Sequence, residues 1–193
     1  MVLSDLPEEL VLYIADFLDT EKDVLAFAQL NRHFQNTLIS YLCRRNAKNS
    51  GASALLWAAE NDQESTAQQA LANGATVSAT NRRGETPLHL ATQAGHLSMT
   101  RFLLNVQGVD VNCQNKYHQT PLTAPARDGH EALVELLLHQ PGIEPDVSER
   151  IRIRPRVNGQ TPLSYAAMNG HVNIVRALLA TGRVNVESRD TRD

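Results

Sequence analysis

TPLHLATQAGH, residues 86–96, returns as TPLTAPARDGH at 120–130 and as TPLSYAAMNGH at 161–171. Thr86 and Thr120 are 34 residues apart, while Thr120 and Thr161 are 41 apart, so one interval carries seven extra residues. Within the phrase, the threonine hydroxyl suits a helix N-cap. Proline suits the first turn, where its missing N–H is harmless. Leu88 and Ala91 stand three apart on one face, and Gly95 offers a left-handed residue that ends a helix of about two turns. A second amphipathic run follows each Gly-His pair: LSMTRFLLNV at 97–106, EALVELLLHQ at 131–140 and VNIVRALLAT at 172–181. Loop-like chemistry then returns in GVDVNCQN, 108–115, and GRVNVESRD, 182–190. The unit is helix, turn, helix, extended loop.

A unit of this length with a TPLHLA start resembles the ankyrin repeat, and the resemblance covers three clear copies. A degenerate copy, SALLWAAENDQESTAQQALANGATVSAT, occupies 53–80, with Ala54 in place of proline and Asp62-Gln63 in place of Gly-His. Its second helix places Thr66 and Ala70 where the next copy has Met99 and Leu103, which predicts weak packing. The expected fold is all-α: a helical N-terminal element (1–47), a linker (48–52), and about four ankyrin repeats (53–193) forming a solenoid with short hairpin loops. RVNVESRDTRD at the end lacks an evident polar cap, as in a fragment or a frayed last repeat.

The first fifty residues carry no such phrase. Pro7, then Glu8 and Glu9, suit a helix start; Leu10, Ile14 and Leu18 form a stripe, and Phe34, Leu38 and Leu42 another. Three short helices of this size bury little surface alone and require a partner. LPEELVLYIADFL followed by DVLAFAQLNRHF is similar to the F-box, with Leu6, Pro7, Leu10, Ile14, Leu18, Leu25, Leu30, Arg32 and Phe34 at the positions of that loose pattern. The resemblance implies docking on a Skp-type adaptor of a cullin-RING ubiquitin ligase through Leu6, Pro7, Leu10, Ile14 and Leu18. The chain would then be a non-catalytic, substrate-recruiting subunit. The alternative is a plain ankyrin scaffold whose N-terminal helices only cap the stack.

Composition narrows the function classes. Net charge is −3, which provides no global basic field for nucleic acid, and no apolar run reaches membrane-spanning length. The N-terminus lacks the basic head and apolar stretch of a signal peptide, so a cytoplasmic or nuclear address is expected. Cys43 and Cys113 are 70 residues apart, which fits neither a disulfide framework nor a zinc site; both are expected to be reduced, buried thiols. No metal, cofactor or catalytic residue is expected. His96, His130 and His171 each follow a helix-closing glycine and His89 lies in the cap phrase, so their positions suggest local hydrogen bonding.

By the ankyrin resemblance, an unidentified target protein would meet the hairpin tips and the last residues of the first helices. These are Arg82, Arg83, Glu85, Gln93, Lys116, Tyr117, Gln119, Arg127, Asp128, Val157, Gln160, Met168 and Asn169. Tyr117 is the foremost of them, because an aromatic side chain offers contact area at low entropic cost. His118 replaces the glycine found at 84 and 159 and predicts an altered turn. Pro125 falls inside the helix opened by Pro121; the sequence predicts a kinked or shortened helix and a stabilising Pro125→Ala change. The seven extra residues fall in GIEPDVSERIRIRPRVNGQ, 142–160. There Arg150, Arg152, Arg154 and Arg156 alternate with Ile151, Ile153 and Pro155, as in an extended finger that meets an acidic partner; a solvated loop is the alternative.

Overall fold

A threonine hydroxyl held over the first N–H groups of a helix starts two of the repeats in the same way. Ser164 N–H donates to Thr161 Oγ1 at 3.2 Å, and His89 N–H reaches Thr86 Oγ1 at 3.4 Å. Pro87 and Pro162 occupy the first helical position after these caps. The computed structural model describes residues 7–16, 37–38, 52–147 and 160–186, and the regular structure among them is helical. The N-terminal element contributes α1, Glu8–Asp16. Four helical pairs follow: α2 Ala52–Glu60 with α3 Glu64–Ala72, α4 Pro87–Gln93 with α5 Leu97–Leu104, α6 Thr123–Asp128 with α7 Glu131–Leu138, and α8 Pro162–Met168 with α9 Val172–Ala180. α2 begins at Ala52, the last residue assigned to the linker.

The first helices α2, α4, α6 and α8 pack in one row and the second helices α3, α5, α7 and α9 in another. Between the rows runs an apolar core. In the first two repeats it contains Leu55, Trp57, Ala58, Leu88, Ala91, Met99 and Leu103; in the last two, Leu122, Ala126, Val134, Leu137, Ala166, Ile174 and Leu178. Leu104 and Leu138, on successive second helices, lie half-buried against this second cluster. In the degenerate repeat Thr66, Ala67 and Ala70 of α3 are buried, small side chains where the next repeat buries Met99 and Leu103.

Each first helix ends in a left-handed residue. Gly95, Gly129 and Gly170 have φ of 80°, 84° and 75°, and Asp62 takes the same conformation at 54° in the degenerate copy. The following histidine reaches back across the repeat boundary. His96 Nε2 contacts the Glu60 carbonyl at 3.0 Å, and His171 Nε2 the Arg127 carbonyl at 2.9 Å. His171 therefore sits over Gly129, where a Cβ would lie 2.6 Å from its Cε1.

The helix that contains Pro125 is shortened. α6 has six residues where α4 and α8 have seven, and it begins three residues after its threonine rather than one. The delayed start puts Pro125 at the third helical position, where an N–H would have no intrahelical acceptor, so the missing donor costs little. The cap is inverted as a result: Thr120 N–H donates to Thr123 Oγ1 at 3.1 Å.

Candidate functional site

The two described hairpin tips are held by an asparagine. Asn81 Oδ1 accepts from the N–H groups of Arg83 (2.8 Å) and Glu85 (3.0 Å), while its Nδ2 donates to Glu85 Oε2 at 2.7 Å. Asn115 repeats this network: Oδ1 accepts from Tyr117 N–H (2.8 Å) and Gln119 N–H (3.0 Å), and Nδ2 donates to Gln119 Oε1 at 3.0 Å. His118 has φ of 61°, close to the 75° of Gly84. The expected altered turn is thus absent; histidine adopts the glycine conformation, with Nδ1 3.0 Å from Gln114 Oε1. The tips are also joined to each other, since Lys116 N–H donates to the Arg83 carbonyl at 2.9 Å.

Behind the tips, His89 ties cap, helix and neighbouring hairpin together. Thr86 N–H donates to Nδ1 at 3.2 Å, which assigns the ring proton to Nε2, and Nε2 lies 2.9 Å from the Gln119 carbonyl that accepts it. Burial holds this imidazole below its ordinary pKa, against the opposing influence of the Gln119 carbonyl, Glu85 and Asp110. Cys113 Sγ lies 3.6 Å from Nδ1 and 3.4 Å from Thr86 Oγ1, and burial pushes the thiol up. The two shifts disfavour a thiolate–imidazolium pair, so the contact packs two neutral groups.

The hairpins and first helices enclose two grooves. One, of about 360 Å³, is lined by Arg83, Glu85, His89, Gln93, Tyr117, Gln119 and Arg127 among others. The second, of about 600 Å³, is lined by Glu60, Arg82, Arg83, Leu90, Gln93 and Ala94 among others. Arg83, Glu85 and Gln93 border both, so the grooves adjoin.

Of the residues expected to meet a target, Arg82, Arg83, Gln93 and Lys116 are exposed and Tyr117 is 50 % exposed. Glu85 requires correction: it is 6 % exposed, and its carboxylate is engaged inside the turn. Gln119 is half-buried and bonded to Asn115 and His89. Arg127 and Asp128 grip each other through two contacts of 2.8 and 2.9 Å, and this guanidinium holds the Asp128 carboxyl below its usual range. Asn169 donates to the Arg127 carbonyl at 3.0 Å; Gln160 Nε2 donates to Met168 Sδ at 3.4 Å, and Met168 is 66 % exposed. Arg150, Arg152, Arg154, Arg156 and Val157 lie outside the described residues. So do Leu6 and Leu18, whereas Pro7 and Leu10 are exposed and Ile14 is half-buried. On α1 the buried positions are Val11 and Ala15, with Tyr13 outward beside Leu10.

The sequence reading missed Asn81 and Asn115. Their signal was present: each stands five residues before the threonine of a Thr-Pro-Leu phrase. Among the described residues, no helix is long and apolar enough to cross a membrane, and no group of three His, Cys, Asp or Glu could hold a metal.

Comparison with known families matches residues 55–150 to ankyrin repeats in three copies and residues 158–191 to a further ankyrin repeat. The first match includes the degenerate copy and the Pro125 copy. No curated protein matches the chain.

Proposed function

We propose, from the premise that the chain belongs to the ankyrin-repeat family, that it holds a protein partner in the paired grooves between its hairpin tips and first helices. Ankyrin repeats are modules of protein–protein interaction, and stacked repeats bind along an extended surface. The observation that carries the assignment is the adjoining pair of grooves that share Arg83 and Gln93, with half-exposed Tyr117 beside them. A rigid frame surrounds this surface: Asn81, Asn115 and His89 hold both tips in place, so binding costs little ordering entropy. Capture of partners from a cell extract by the full chain, followed by cross-linking from position 93, tests the reading. Cross-links confined to other faces would refute it.

A finer reading assigns the N-terminal element to adaptor recruitment, so that the held partner becomes the substrate of a cullin-RING ubiquitin ligase. It rests on the F-box-like pattern, and Leu10 of α1, which is 45 % exposed, favours it. The chain with and without residues 1–47 is then the comparison of interest. Recovery of a Skp-type adaptor and a cullin with the full chain alone is expected, and Leu6→Asp with Pro7→Ala should abolish it. Recovery of neither leaves a plain interaction scaffold.

A further inference from the structure

The hairpin tips carry a charge pattern that the composition does not lead one to expect. With 18 Lys and Arg against 21 Asp and Glu, the chain is acidic, yet Arg82, Arg83 and Lys116 are gathered exposed on two tips joined by a main-chain hydrogen bond. The sole ion pair between described side chains joins Arg127 to Asp128, which leaves these three cations without a carboxylate partner. Nearby acids are already committed or peripheral. Glu85 lines both grooves but is buried and accepts from Asn81, Asp128 is engaged by Arg127, and exposed Glu60 borders only the second groove. Lys116 Cγ lies 3.2 Å from where a Cβ on Gly84 would sit, so its stem lies across the neighbouring tip rather than away from it.

Like charges gathered on adjoining tips repel, and no ion pair between described side chains offsets that cost. An incoming carboxylate would offset it, and guanidinium groups bind carboxylates in paired hydrogen bonds. Resting on the groove reading above, we propose that the partner segment is an Asp/Glu-rich peptide whose carboxylates meet Arg82, Arg83 and Lys116 and whose apolar side chain packs on Tyr117. Arg83 borders both grooves, so consecutive acidic residues of one extended chain meet it in either direction.

The test uses the full chain and three fluorescein-labelled short peptide pools, rich in Asp/Glu, in Ser/Gly, or in Lys, followed by anisotropy at about 50 and about 200 mM salt. Two charge-matched variants accompany it: Arg83→Ser with Lys116→Ser at the tips, and Arg101→Ser with Arg176→Ser on exposed positions of second helices. The acidic pool should bind, weaken with salt, and bind on the order of tenfold more weakly to the tip variant while the second-helix variant is unchanged. Equal weakening in both variants, or no binding of the acidic pool, overturns the proposal. Binding of the neutral or basic pool that is lost in Tyr117→Ala overturns the acidic preference but retains the groove. Circular dichroism of each variant excludes unfolding as the cause.

Discussion

Replacing Gly129 by alanine should destabilise the stack more than the same change at other left-handed glycines, for a reason visible at the repeat boundary. An alanine at φ of 84° carries a strain of about 1 kcal/mol. Gly108, at φ of 87°, and Gly170, at φ of 75°, would carry the same strain, but a Cβ at either meets nothing within 4 Å. At Gly129 the new methyl would stand 2.6 Å from His171 Cε1 and 2.9 Å from Nδ1, so the ring must move and release the Arg127 carbonyl. Loss of that bond adds about 1 kcal/mol, and the disturbed packing of α6 on α8 up to about 1 more. Gly129→Ala is therefore expected to cost about 2–3 kcal/mol and the two reference changes about 1 kcal/mol each. For a chain of this length that corresponds to falls in Tm of roughly 6–9 °C against roughly 3 °C, readable by thermal melts at 222 nm. Removing the ring first should lessen the penalty: Gly129→Ala combined with His171→Ala should cost about 1 kcal/mol less than the sum of the single changes. Equal falls for all three glycines, or strict additivity in the cycle, would refute the clash.

Pro125→Ala should leave Tm unchanged or lower it by about 1 kcal/mol equivalent, since the delayed start of α6 has already removed the need for an N–H there and the substitution loosens the unfolded chain. A clear rise in Tm would show that the late start is costly. His89 has a lowered pKa in the folded state, so the stability of its neutral form is complete above about pH 6.5 and declines as pH falls from there toward the folded value. Urea midpoints should drop between about pH 7 and 5, and this slope should diminish in His89→Gln, whose amide does not titrate; an unchanged slope would assign it elsewhere. Tyr117→Ala should weaken partner binding at least several-fold while leaving Tm within about 1 °C, because the side chain is half-exposed and the turn is held by Asn115.

How far the sequence could be read depended on whether the deciding interaction was local. Thr86, Pro87, Leu88 and Gly95 act within one helix, so their spacing disclosed cap, first turn, buried face and terminus. The shortened helix at Pro125 was legible from the proline alone, but not where it begins, since the start at Thr123 depends on the turn before it. His118 was misjudged because the Asn115 network specifies a left-handed residue strongly enough for histidine to occupy it. Glu85 looked like a solvated tip acid, and only the fold shows it turned inward onto Asn81. The grooves themselves arise between repeats, from residues about thirty apart, and no single-repeat pattern encodes them.

The two asparagine-held turns also differ in how much change they would tolerate. Asn81→Asp keeps both main-chain acceptor contacts, yet it would replace the amide donor with a carboxylate about 2.7 Å from that of Glu85. One of the two would have to retain a proton, and the hairpin would tighten in acid and spring open in base. Asn115→Asp sets its carboxylate against a neutral amide rather than a second carboxylate, since Gln119 carries N–H as well as oxygen. Two turns of the same shape thus carry unequal latitude: the first is locked by its choice of glutamate, and the second is free to drift in charge without losing its form.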